Sequence, residues 1–151
     1  VRVVATDPKV WERPLFVDEL QKPAKLHDLL PQADIVASAV PLTPTSTKMI
    51  GAKEYGLMKP GAILINVSRG KVVDTDALVA ELRSERLFAA LDVTDPEPLP
   101  DGHPLWTTPN TVLTPHVGGN TDLSVPRSIE LMRKQVAALA EGRPFENLID
   151  F

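Results

Sequence analysis

An α/β fold, a doubly wound parallel sheet, is predicted for this 151-residue chain by three observations. Five short apolar runs lack the period-2 alternation of a sheet wetted on one face, which marks strands covered on both sides. Segments at helical spacing stand between them, as parallel pairing requires of its crossovers. Proline occurs 15 times, about twice its ordinary share, as expected of many short elements joined by rigid turns.

The elements follow in order. Val1 to Thr6 (VRVVAT) is a β-branched strand ended by Asp7-Pro8, because proline fixes its own φ and turns the preceding residue away from helix. Trp11 to Gln32 is mixed, with Leu26, Leu29 and Leu30 at helical spacing ahead of Pro31. Asp34 to Val40 (DIVASAV) is a second strand, followed by the loop PLTPTSTK and a short helix from Ala52 to Met58 that Lys59-Pro60-Gly61 stops. Ala62 to Val67 (AILINV) is a third strand. Thr75 to Arg86 places Leu78, Val79 and Leu82 on one helical face, with Asp74 or Thr75 as N-cap. Phe88 to Val93 (FAALDV) and Thr111 to Thr114 are the fourth and fifth strands, separated by a proline-rich loop. A final helix, about Thr121 to Glu141, carries Leu131, Met132, Val136, Leu139 and Ala140 and ends at Gly142. No repeat at solenoid period is present.

Composition narrows the function. A net charge of −4 and a pI near 5.3 argue against a nucleic-acid-binding protein, and 43% hydrophobic with 24% charged residues is ordinary for a globular domain. The chain has no cysteine, hence no disulfide framework and no thiolate metal site. Its apolar runs are far shorter than the ~20 residues of a membrane span. No basic-then-apolar leader precedes Val1, so a cytoplasmic protein is expected. The histidines at 27, 103 and 116 lack metal-ligand spacing.

Sites on parallel sheets form at the carboxyl ends of strands. The polar residues standing there are Asp7 after the first run, Pro41 and Thr43 after the second, and Ser68-Arg69-Gly70 after the third. Asp92 closes the fourth with Glu97 beyond it, and His116 with Gly118-Gly119 follows the fifth. An arginine, two acids and a histidine thus converge on one edge. Taken singly, each has an ordinary reading as a loop residue. His27, in a helix, and His103, beside a proline, are read as structural.

Three motifs in series change that weighting. INVSRG (Ile65 to Gly70), LDVTDPEPLP (Leu91 to Pro100), and HPLW with TPHVGG (His103 to Trp106, Pro115 to Gly119) resemble the D-isomer-specific 2-hydroxyacid dehydrogenases. LDVTDPEPLP is most similar to their glyoxylate and hydroxypyruvate reductase branch. The resemblance implies His116 as general acid/base, Glu97 as its partner and Arg69 as the substrate-binding arginine. Each role suits its chemistry. Imidazole titrates nearest neutral pH, a carboxylate on its other nitrogen fixes the tautomer and favours the imidazolium, and guanidinium offers paired donors to a carboxylate. The implied ligands are NAD and a small 2-keto or 2-hydroxy acid, and the implied assembly is a homodimer.

For the cofactor, Asp7 would accept hydrogen bonds from the adenosine ribose and repel a 2′-phosphate, favouring NAD over NADP; its alternative is a turn former before Pro8. The resemblance would place Asp92 at the nicotinamide carboxamide, against a plain strand-terminal acid. Gly118 and Gly119 would permit close backbone approach, against a pure turn role. Pro41, Thr43 and Ser68 would line the cofactor groove. Rival readings are a corepressor of the same fold that senses the cofactor, a phosphite- or formate-type dehydrogenase, and a non-catalytic remnant. Glu97 disfavours the formate branch, whose histidine is typically partnered by an amide.

The sequence departs from the family in one respect. The G-x-G-x-x-G fingerprint, on the strand before the one beginning at Val1, is absent, as is the first part of the substrate domain. The chain therefore resembles the latter half of such an enzyme. Residues 1–118 would be a partial Rossmann-like domain lacking its first strand and glycine-rich turn, and 119–151 a helix and tail crossing to a substrate domain. Because the absent strand is central in the order 3-2-1-4-5-6, a gap in the sheet, weak NAD binding by these residues alone, and exposed Leu148, Ile149 and Phe151 are expected.

Overall fold

The computed structural model describes residues 1–148. The chain divides into two compact units, Val1 to His116 and Val117 onward.

Every predicted strand forms, trimmed at its ends. In the first unit β1 is Val4–Thr6, β3 Ile35–Ser38, β4 Ile63–Asn66, β5 Phe88–Leu91 and β6 Thr111–Leu113. One further strand has no counterpart among the predicted runs: β2, Glu19–Gln21, pairs in parallel with β1 in the register Val4 to Glu19 and Thr6 to Gln21. Its three residues, ELQ, carry no apolar run, so backbone pairing rather than side-chain pattern makes it a strand. All strand pairs are parallel. The helical segment expected around Leu26 to Leu30 is one α-helical turn, α1 (Leu26–Leu29), between two 3₁₀ turns.

The sheet is interrupted where the sequence leads one to expect it. β3, β4, β5 and β6 form one four-stranded sheet in that order, while β1 and β2 form a separate pair. Between the two lies a groove of about 280 Å³ lined by residues of both β1 and β3, among them Val4, Asp7, Ile35 and Ser38.

Helices α2 (Ala52–Leu57) and α3 (Thr75–Arg83) complete the first unit. α3 starts at Asp74, whose carboxylate accepts from the Ala77 N–H at 3.1 Å, and it buries Leu78, Val79 and Leu82. These join Leu64, Tyr55 and Leu87 in a core of buried side chains beneath β4 and β5. The core thus holds the sheet whose strand ends carry the polar residues.

In the second unit α4 (Ser124–Ala140) buries Ala138. Val125, Met132, Val136 and Leu139 are exposed along it, as is Leu148 beyond it. Ile149 and Phe151 lie outside the described residues.

Candidate active site

The predicted polar residues at this edge of the first unit stand in three segments, after β4, after β5 and after β6. β4 ends at Asn66, which is completely buried. Its Nδ2 donates to the Arg69 carbonyl at 3.1 Å, and its Oδ1 accepts from the Ser68 N–H at 3.1 Å and the Ser68 hydroxyl at 2.7 Å. Since the Ser68 proton is committed to Asn66, the 3.1 Å contact with Ser38 at the end of β3 is donated by Ser38. Ser68 is buried and is a member of this network, while Arg69 beside it is exposed and has extended backbone. An Arg69 Nη1–H donates to the Ser68 carbonyl at 2.7 Å.

Beyond β5, Asp92 is buried and its Oδ1 accepts from the Thr114 hydroxyl at 2.5 Å, which ties the end of β5 to the end of β6. The loop that follows brings Glu97 back: Oε2 accepts from the Thr94 N–H at 3.3 Å, and Oε1 lies 2.6 Å from His116 Nδ1. A carboxylate can only accept, so the ring proton at this contact resides on Nδ1 and Nε2 is directed elsewhere. His116 has φ +54°, the left-handed region, with its N–H donating to the Thr114 carbonyl at 3.0 Å. Such strain in a residue other than glycine costs about 1–3 kcal/mol and persists where surrounding contacts over-determine it, often at functional sites.

The electrostatics join the three segments. The His116 hydrogen bond holds the Glu97 carboxyl below its ordinary value, the Thr94 N–H acts in the same direction, and the charge of Arg69 adds a smaller pull. Both members of the pair are about two-fifths exposed, so the contact is open to a ligand. A cavity of about 630 Å³ beside it is lined by Asp92, Thr94, Glu97, Trp106, Thr114 and His116.

The other predicted positions fall as follows. Asp7 Oδ1 accepts from the Lys9 and Val10 N–H groups at 2.7 and 2.8 Å, and the Val10 bond first among these holds the carboxyl below its usual range. The turn-forming role weighed for it is therefore realised, at the end of β1 and on the rim of the groove. Pro41 and Thr43 are exposed in a loop organised by Ser46, a residue that no motif singles out. Its buried hydroxyl donates to the Pro41 carbonyl at 2.7 Å and accepts from the Thr43 N–H at 2.7 Å. Gly118 and Gly119 belong to the second unit, where the Gly119 carbonyl accepts from the Ser124 hydroxyl at 2.6 Å. His27 contacts Glu54, 27 residues away, at 2.8 Å, and His103 Nδ1 accepts from the Leu105 N–H at 3.2 Å. Asn66 is absent from the predicted site residues too, although a lone amide closing the apolar run AILI is a signal of a buried polar anchor.

Residues 1–118 match the family model of the D-isomer specific 2-hydroxyacid dehydrogenase NAD binding domain. The chain belongs to the D-isomer-specific 2-hydroxyacid dehydrogenase family. Among relatives, it is 41% identical over 126 residues to the glyoxylate reductase of Aeropyrum pernix, covering 83% of this chain and 38% of that protein. It is 49% identical over 102 residues to the D-3-phosphoglycerate dehydrogenase of Escherichia coli, covering 64% of this chain and 25% of that protein. A D-isomer specific 2-hydroxyacid dehydrogenase from Xanthobacter autotrophicus Py2, solved with NADPH and MES, superimposes with a TM-score of 0.83 at 34% identity, covering 99% of this chain and 60% of that one. The chain spans less than half the length of the curated relatives it matches. Within this dehydrogenase family, the parallel sheet with flanking helices is the NAD(P)-binding domain, and the three segments described above stand at its strand ends. Among the described residues no helix is long and apolar enough to cross a membrane, and no cluster of potential metal ligands occurs.

Proposed function

We propose that this chain forms the catalytic face of an NAD-dependent oxidoreductase interconverting a small 2-keto acid and its D-2-hydroxy acid, glyoxylate or hydroxypyruvate being the substrate class. The observation that carries the reading is the 2.6 Å contact between Glu97 and His116, with the charge of Arg69 acting on the same carboxylate. Residues 1–118 are read as the partial cofactor-binding domain and 119–151 as the element crossing to a substrate domain, in a protein read as cytoplasmic and, by the family resemblance, homodimeric.

The residues present fit the two ends of a dinucleotide. Asp7, at the end of β1, offers a carboxylate to ribose hydroxyls, its turn using Oδ1; Asp92, at the end of β5, offers one to a carboxamide. Pro41, Thr43 and Ser68, in the first unit, are assigned to the wall of the cofactor groove, and Gly118 and Gly119 keep the role the family resemblance implies, close backbone approach. NAD is preferred over NADP because the Asp7 charge opposes a 2′-phosphate. The nicotinamide, when bound, supplies or accepts hydride.

The protein's own steps are binding and proton transfer. Arg69 pairs with the substrate carboxylate through parallel N–H donors and orients the keto group. Glu97 holds the proton on His116 Nδ1, which leaves Nε2 to protonate the substrate oxygen in reduction and to receive that proton in oxidation. Carboxylate, imidazole and guanidinium thereby supply acid/base catalysis and orientation without a metal ligand set.

The test is NADH consumption with glyoxylate, hydroxypyruvate and pyruvate, comparing the protein in its full encoded length with His116→Ala. Loss of about 10²-fold or more in the variant is expected from removal of a general acid. Cofactor binding with no turnover of the three acids would instead favour a cofactor-sensing corepressor or a phosphite-type dehydrogenase.

A further inference from the structure

We infer that Gly70 and Asn66 are positioning residues that clamp the Arg69 loop to the Glu97 loop, so that the anion-binding arginine and the proton-transferring pair are set by one backbone contact. The inference rests on the dehydrogenase reading above and extends it to two residues that touch neither substrate nor cofactor.

Gly70 is buried, and its φ is not positive, so nothing in its own conformation requires glycine. Space does. A Cβ at Gly70 would stand 1.8 Å from the Thr94 carbonyl oxygen, 2.0 Å from the Thr94 carbonyl carbon and 2.6 Å from the Asp95 nitrogen. All three are backbone atoms, so no rotamer change relieves the overlap, and one of the two main chains must move. Gly70 is not free to yield, because Val72 and Val73, two and three residues on, are buried and the Val73 N–H donates to the Gly70 carbonyl at 3.1 Å.

Thr94 is the residue that would be displaced, and it is coupled to the acid. Its N–H holds Glu97 Oε2 and its hydroxyl donates to the Pro96 carbonyl at 2.9 Å. Movement of the Thr94 main chain is thereby passed to the carboxylate that fixes His116. From the other side, Asn66 grips the Arg69 carbonyl and the N–H and hydroxyl of Ser68, with its amide oxygen and nitrogen both engaged inside the loop. Asn66 therefore sets where the arginine leaves the chain, and Gly70 sets how far that point stands from Glu97.

The test uses Gly70→Ala in the protein at its full encoded length, alone and combined with Glu97→Gln. Two readouts separate positioning from general damage. In steady-state reduction of a 2-keto acid, kcat/KM is expected to fall at least about tenfold, with the KM for the acid rising and the KM for NADH within about threefold of wild type. In the double variant the further loss in kcat relative to Glu97→Gln is expected to stay within about threefold, since the loss in kcat acts through that carboxylate. The second readout is free of activity: ¹⁵N shifts of the His116 ring report which nitrogen carries the proton. The wild-type Nδ1–H form should give way to the mixed tautomers of a free imidazole in Gly70→Ala. If the protein reduces no 2-keto acid, the functional reading fails, and the ring shifts still decide the positioning role. A folded Gly70→Ala with wild-type ring shifts and unchanged KM for the acid overturns the inference. Should Gly70→Ala not fold, Asn66→Ala loosens the same loop without adding an atom; a selective rise in KM for the acid supports the inference, and an unchanged KM overturns it.

Discussion

Glu97 Oε1 and His116 Nδ1 stand 2.6 Å apart across 19 residues of sequence, and their contact joins the loop after β5 to the residue that turns the chain after β6. Because His116 holds a left-handed φ of +54°, the ring is presented by a strained backbone rather than by a regular element. The Glu97–His116 contact is therefore a property of two loops, each anchored by a strand end.

Replacing Glu97 with Gln should reduce keto-acid turnover at least about tenfold, because the amide keeps the shape of the partner without its charge. The same pair makes stability depend on pH. The His116 hydrogen bond depresses the Glu97 carboxyl in the folded protein, so its stabilising contribution is complete above the unfolded value of about 4.5 and is lost as pH falls through the depressed one. Denaturant midpoints of wild type and Glu97→Gln should differ at about pH 6 and converge in strong acid. Equal midpoints near neutrality would show that the contact contributes nothing to folding.

Arg69→Lys retains the charge and removes the planar pair of donors. A rise of about tenfold or more in KM for the keto acid is expected, with the KM for NADH little changed. Titration of initial rates against acid and cofactor checks this, and a variant indistinguishable from wild type would remove Arg69 from the substrate site.

Asp7→Ser should shift cofactor preference toward NADPH. Serine can still accept from the Lys9 and Val10 N–H groups that the aspartate satisfies, so the turn after β1 survives while the charge opposing a 2′-phosphate is gone. An increase of about tenfold in the NADPH-to-NADH ratio of kcat/KM corresponds to about 1.4 kcal/mol. An unaltered ratio would confine Asp7 to its turn.

Asp74 caps α3 through Ala77 and pairs with Lys48 at 3.0 Å. Asp74→Ala should cost about 1 kcal/mol of stability from the lost cap. Lys48, then the Ala77 N–H, hold the folded carboxyl below its ordinary 3.8, so this contribution too is present above that value and disappears as pH drops through the lowered one. Urea unfolding at about pH 7 and about pH 3 should show the gap between variant and wild type closing at the lower pH.

Elements with a strong local signal are legible in the amino-acid sequence. AILINV and FAALDV are apolar on both faces because β4 and β5 are central, and Leu78, Val79 and Leu82 repeat at helical spacing because α3 buries one side. β2 is invisible there for the converse reason: Glu19–Gln21 is a strand only because β1 lies beside it. The exposed Val125, Met132, Val136 and Leu139 of α4 read as a helix from spacing alone, which carries the period of the element and nothing about what it packs against.

The same division runs through the site. Arg69, Glu97 and His116 are singled out in the sequence because each stands in a motif whose residue types suit the proposed reaction: a planar cation for a carboxylate, an imidazole for a proton, an acid to hold the imidazole. Residue type and order along the chain are local information, and they determined the α/β class, the approximate boundaries of most elements and the family. Distance between residues far apart in sequence is not local, and only the tertiary structure decided that Glu97 reaches His116, that Asn66 holds Ser68 and Arg69 from beneath, and that the backbone at Gly70 touches the backbone at Thr94. Those contacts are made by packing loops from different strands onto one core, where close-packed atoms leave a single arrangement without overlap.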